Sequence, residues 1–175
     1  VSCEFTDNVA GDGGGVEVRG SSSFDDTNGE YSGNEADDDG GAVHITVAEG
    51  RFSGSVFTGN SAAASGGAIY GYTTTGTLSI SDAAFSSNAA SSDDGGAIAA
   101  SRQSALDISN TSFDSNTSVY GDGGAIYFAP GFNTHDLVVD ASTFEDNDAG
   151  GDGGAIAVLK GCLLYTSDAA DEVQC

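Results

Sequence analysis

A chain of 175 residues with 27 glycines and 38% apolar residues is long enough for one domain and apolar enough to bury a core. Its 27 acids face only four bases, Arg19, Arg51, Arg102 and Lys160, for a net charge of −23. That balance excludes nucleic acid as a partner and adhesion to anionic membranes, because both need a basic surface. No apolar run approaches the ~18 residues of a membrane span, so none is expected in this fragment.

Residue 1 is Val, and the first recognisable element, Phe5 to Asn8, lies partway through a repeat, so the N-terminus reads as a cut end. Two motifs then alternate along the chain. The first, F-x-x-N, runs Phe5…Asn8, Tyr31…Asn34, Phe57…Asn60, Phe85…Asn88, Phe113…Asn116 and Phe144…Asn147. The second, D-G-G-A-I, follows each copy of the first. It begins at Asp39, Asp94, Asp122 and Asp152; Ser65 replaces Asp in one copy, and Asp12-Gly13-Gly14-Gly15-Val16 is a weaker one. A third element, L-x-I, precedes the aromatic as Leu78 and Ile80, Leu106 and Ile108, or Leu137 and Val139; Phe24 and Phe52 take the equivalent places earlier.

The first glycines of the pairs stand at 13, 40, 66, 95, 123 and 153, at spacings of 27, 26, 29, 28 and 30 residues. Such a period means a solenoid, a propeller or an array. Glycines would break the helix pairs of ankyrin or TPR repeats, and a propeller blade needs about 40 residues. The expectation is an all-β, right-handed parallel β-helix of about six coils, with three short strands per coil.

Strand alternation places Gly41, Val43 and Ile45 inside, and Ala42 and His44 outside. The position after Ile (Glu17, His44, Tyr70, Ala99, Tyr127, Ala157) suits solvent, and the next one (Val18, Ile45, Gly71, Ala100, Phe128, Val158) suits the interior. Stacked coils then form columns of Ile, Leu and Phe. The glycine pair provides a turn at positive φ. The repeated Asn tolerates the same conformation, and its amide can donate to the carbonyl of the next Asn.

G-G-A-I paired with F-x-x-N resembles the repeat of chlamydial-type polymorphic outer membrane proteins, over nearly all of residues 1–161. The resemblance implies a pectin-lyase-like β-helix, exported as an autotransporter passenger and displayed at the cell surface as an adhesin. It thus implies an extracellular or outer-membrane-associated location, and an extracellular surface or glycan as partner. The family's C-terminal membrane barrel is not in this sequence.

The same β-helix class includes polysaccharide lyases and hydrolases, which need clustered carboxylates with an Arg or Lys base on one exposed face. Arg19, Arg51 and Arg102 share no register, and Arg102 has no evident neighbour, so no catalytic residue is assigned. His44 and His135 are single and read as surface residues; no second His or Cys offers metal spacing, so no metal or cofactor site is assigned. Cys3 reads as a small buried side chain or a chance thiol. Gly-Asp-Gly-Gly at 121–124 and 151–154 matches neither the calcium nonapeptide nor the EF-hand loop. The stacked acids Asp94, Asp122 and Asp152, with Asp12 and Asp39, read as a solvated ladder; the alternative is Ca²⁺ bridging, with oxygens added by Asp93 and Asp148.

Residues 162–175 lack glycine, and their apolar spacing fits no coil. From Cys162 to Glu172 they resemble the translation of a sequencing-library adapter. The domain reading is therefore a β-helix over 1–161 and a non-native tail over 162–175. Without that tail Cys3 has no partner for a disulfide. The function expected is a non-enzymatic, cell-surface or secreted scaffold that presents variable loops, adhesin-like; the alternative is a carbohydrate-active lyase or hydrolase.

Overall fold

Each motif of the repeat becomes one side of a coil. In the first coil, F-x-x-N starts on β1 (Glu4–Thr6), the residues after Asn form β2 (Val9–Ala10), those after the glycine pair form β3 (Val16–Arg19), and the run towards the next aromatic forms β4 (Ser23–Thr27). Every later coil repeats these four strands, each paired in parallel with its counterpart one coil away. The result is a parallel β-helix with four sheets, numbered 1 to 4 after β1 to β4, of six, six, six and seven strands. The computed structural model describes residues 2–20, 23–46, 49–72, 76–102, 105–131, 136–160, 162–166 and 172–174. Among these there is no helix, and so no helix long and apolar enough to cross a membrane.

Four strands per coil corrects the expected three. The additional strand, in sheet 2, has two residues and only one inward position: Ala10, Ala36, Ala62, Ala90, Ser118 or Ala149. Two residues cannot display an alternation.

The columns are as expected. Val16, Val43, Ile69, Ile98, Ile126 and Ile156 pair directly down sheet 3. Phe5, Tyr31, Phe57, Phe85, Phe113 and Phe144 stack with ring centroids 4.6–5.0 Å apart and planes within 7° of parallel. This is the strand spacing itself, so each ring lies flat on its neighbour. Phe24 and Phe52, however, are not equivalent. Phe24 aligns with Gly50 in the Leu78 column, and Phe52 aligns with Asp26 in the Ile80 column. The two rings approach diagonally, 5.5 Å apart, and a Cβ on Gly50 would crowd Leu78 and Ile45 at 3.1 and 3.3 Å.

The glycine corner also corrects the alternation. Ala42 is fully buried in the core beside Val43, as are Ala68, Ala97 and Ala125 in their coils. The strand starts only at Val43. Gly40 before it has φ +67°, and the amides of Ala42 and Val43 both donate to the Ala68 carbonyl at 2.9 Å. The second glycine serves differently: a Cβ on Gly41 would strike the Ser61 backbone at 2.6 Å, so Cβ-free backbone is what lets sheets 2 and 3 meet.

Asn34, Asn60, Asn88 and Asn116 are fully buried. Each Nδ2 donates to the next Asn Oδ1 at 2.9 Å and to the carbonyl of the preceding coil's aromatic residue at 2.8–3.1 Å. Each Oδ1 also accepts the backbone N–H of the preceding Asn at 3.0–3.1 Å. The positive φ expected at Asn belongs instead to the residue before it: Asp7, Gly33, Gly59, Ser87, Ser115 or Asp146.

The segment expected to fit no coil does supply one strand. Cys162–Thr166 pairs in parallel with Asp136–Asp140, setting Leu163 against Leu137, and Leu163 packs on the core. Glu172–Gln174 pairs antiparallel to it. Cys162 is disulfide-bonded, whereas Cys3 is free and exposed rather than buried.

Candidate functional site

The core consumes the inward residues, so function has to lie on the outer faces and corners. The acidic corner stacks as expected, but its carboxylates are already engaged. Asp94 Oδ1 accepts the Asp122 N–H at 2.8 Å, Asp122 Oδ1 accepts that of Asp152 at 2.7 Å, and Asp39 Oδ1 accepts that of Ser65 at 3.0 Å. One oxygen per acid thus caps the next coil. Burial raises the Asp39 and Asp94 carboxyls above their ordinary range, and those same N–H bonds partly offset it.

Beside this ladder runs the outward column of sheet 3: Glu17, His44, Tyr70, Ala99, Tyr127 and Ala157. It is more enclosed than expected for a solvent-facing column. Ala99 is fully buried and His44 is 8% exposed, which corrects the reading of His44 as a surface residue. Neighbouring rungs do the covering: the Tyr70 ring lies 5.3 Å from that of His44. Burial, then the charges of Asp39 and Asp94 respectively, push the Tyr70 and Tyr127 hydroxyls up to about 12. A depression of about 270 Å³ opens beside Asp122, Tyr127, Asp152 and Leu159. At the other end, His44 Nδ1 faces Glu17 at 3.5 Å and Asp12 at 4.0 Å. Glu17 and His44 are direct strand partners. The sequence places both at the position after Ile in adjacent copies; what it does not show is that Asp12, from the corner, comes to lie beside them.

The arginines share no register, as expected. Arg19, on sheet 3, pairs with Asp12 at 3.3 Å and with Glu17. Arg51, on sheet 4, pairs with Glu49 at 3.1 Å and reaches Asp25 at 3.9 Å. Arg102 does have a neighbour, contrary to expectation: its guanidinium lies 5.4 Å from the centre of the Tyr72 ring. His135 lies outside the described residues. Among the described residues, each base on a sheet face therefore meets two carboxylates.

Sheets 1 and 2 present small residues in their middle rungs. Val56, Ala84, Ser112 and Thr143 form one outward column, Thr58 and Ser86 lead to Asp114 and Glu145 in the next, and Ser61, Ala89 and Thr117 lead to Asp148 in a third. At the corner after Asn116, Val119 and Tyr120 project, and Tyr120 is 79% exposed.

These features define a class, a parallel β-helix built by stacking a two-motif repeat on Asn and aromatic ladders. Residues 54–72, 110–129 and 141–158 match the model of the Chlamydia polymorphic membrane protein repeat, so the chain carries repeats of that family. No curated protein and no solved structure matches it.

Proposed function

We propose that this β-helix is a non-enzymatic scaffold, displayed at the cell surface or secreted, that presents variable corners to an extracellular surface or glycan. The outward face of sheets 1 and 2 carries the reading: Val56, Thr58, Ala84, Ser86, Ser61 and Ala89 fill its middle rungs, and although Asp114, Glu145 and Asp148 follow in the same columns, no strand of these two sheets among the described residues holds an Arg, Lys or His to act beside them. Diversity gathers at the corners instead, where Val119 and Tyr120 stand clear of the sheets. An exposed Tyr offers area and a hydroxyl at low entropic cost, as contact surfaces require. The repeat family, named for a membrane protein, supports display at a surface.

The purified chain is to be tested for saturable binding to glycan arrays and intact eukaryotic cells, and in parallel for cleavage of a panel of uronate polysaccharides. Saturable binding without depolymerisation, reduced several-fold by Tyr120→Ser at unchanged melting temperature, is the expected result. Depolymerisation that disappears in Arg51→Ala or Arg19→Ala would establish the carbohydrate-active alternative instead.

A further inference from the structure

We propose that Asp12, Glu17 and His44 form a binding site for a divalent first-row transition metal ion of the zinc type, bridging the first two coils. One candidate ligand atom from each lies within 4.8 Å of the others. The arrangement follows from the repeat. Asp12 occupies the acidic corner of the first coil, Glu17 is outward on β3 of that coil, and His44 is the strand partner of Glu17 one rung on. At the next rungs the outward place is held by Tyr70, Ala99, Tyr127 and Ala157, so the combination does not recur.

The imidazole points to a ligand independently of the acids. His44 is nine-tenths buried, and its Nδ1 has no hydrogen-bond partner. A buried, unpaired ring nitrogen is costly. It is aimed at Glu17 Oε1, 3.5 Å away, and Asp12 Oδ2, 4.0 Å away. Zinc bonds of about 2.0–2.2 Å place tetrahedral ligands about 3.3–3.5 Å apart, so the Glu17–His44 edge is already at that length, while Asp12, 4.0 Å from His44 and within 4.8 Å of Glu17, has to move in towards both. Two carboxylates and a neutral imidazole balance a dication and leave a fourth position to water. A nitrogen in the set favours zinc-type ions over Ca²⁺ or Mg²⁺, which take oxygen.

Asp12 divides its oxygens between two tasks. Oδ1 lies 3.5 Å from the Asp39 N–H, while Oδ2 faces His44 and Arg19. Arg19 holds both carboxylates from the solvent side and is 64% exposed, so it can swing away. It is thus a competitor for the ion. The bound ion would staple coil to coil, since its ligands come from two adjacent rungs.

The test is calorimetric titration of the full chain with ZnCl₂, in a Cys3→Ser background so that the free thiol takes no part, alongside thermal melts. One zinc per chain is expected, with affinity lowered tenfold or more by His44→Ala and by Glu17→Gln, and raised by Arg19→Ala. Zinc should raise the melting midpoint of the parent but of neither ligand variant, and Ca²⁺ at equal concentration should not displace it. Glu17→Gln alters an outward side chain and leaves the core intact, so it remains informative if His44→Ala folds poorly. No binding, equal binding by parent and Glu17→Gln, or displacement by Ca²⁺ would each overturn the proposal.

Discussion

Asn88→Ala should cost far more than its size suggests. The Asn88 side chain accepts from the Asn60 backbone N–H at 3.0 Å and from Asn60 Nδ2 at 2.9 Å, and it donates to the Phe57 carbonyl at 3.1 Å and to Asn116 Oδ1 at 2.9 Å. Asn60, Asn88, Phe57 and Asn116 are all fully buried, so water cannot replace what is lost. At about 1 kcal/mol net per bond, with more for stranded donors, the loss is about 4 kcal/mol, a large part of the 5–15 kcal/mol typical of a domain. Asn8→Ala is the internal control. Asn8 is exposed, and its side chain makes one bond, to Asn34 Oδ1 at 2.9 Å, worth about 1 kcal/mol. Guanidinium unfolding followed by circular dichroism measures both variants. Hydrogen exchange at the Asn60 amide shows whether the opening is local, as solenoids allow. Losses within about 1 kcal/mol of each other would refute the view that the ladder stabilises through buried, mutually satisfied amides.

Gly96→Ala should prevent normal stacking at one rung, since the new Cβ would meet the Thr117 backbone at 2.5 Å; a melting midpoint within a few degrees of the parent would contradict this. Burial raises the Asp94 carboxyl above its ordinary value of 3.8, so its cost is absent in acid, where folded and unfolded chains are both protonated, and grows as pH rises through the raised value. Stability should therefore fall over that window, and Asp94→Asn, which keeps an oxygen for the Asp122 N–H, should flatten the melting-versus-pH curve and be the more stable protein at neutral pH. Melts in Ca²⁺ and in EDTA at matched ionic strength should give equal midpoints, because the ladder oxygens already serve the next coil's amides; a Ca²⁺-specific rise blunted by Asp122→Asn would show bridging. Deleting residues 162–175 should cost about 1–2 kcal/mol through uncovering Leu137, the size of a partial side-chain burial; an unchanged denaturation curve would show that this segment does not pack.

The stacking was legible because it rests on like over like. Phe on Phe, Ile on Ile and Asn on Asn follow from a period near 28 residues once a solenoid is recognised, and pairing between Phe85 and Phe113 or Ile98 and Ile126 confirms the register. What escaped lies at the corners. A two-residue strand such as Val9–Ala10 has no periodicity to detect. Ala42 turns inward because Gly40 bends the chain just before the strand, which alternation counted from the glycines cannot see. The burial of His44 was missed for a related reason: an outward side chain in a solenoid has neighbours one strand spacing above and below, and here these are Glu17 and Tyr70. Phe24 and Phe52 looked equivalent because each is one aromatic on the last strand of its coil, yet they fill different columns.

The uniform floor and ceiling of the middle coils bear on how such a gene can change. Phe57, Phe85 and Phe113 present the same ring, at the same register, to both neighbours, as do Asn60, Asn88 and Asn116 with their amides. Removing or duplicating one whole repeat by unequal crossing-over would therefore join surfaces that already match, and copy number can drift without any compensating mutation. The first two coils lack that freedom, because Phe24 lies opposite Gly50 and Phe52 opposite Asp26, a size exchange that works only in this order. Length variation should accordingly be inherited in whole repeats and concentrated in the middle of the array, with the early coils passed on as a linked pair.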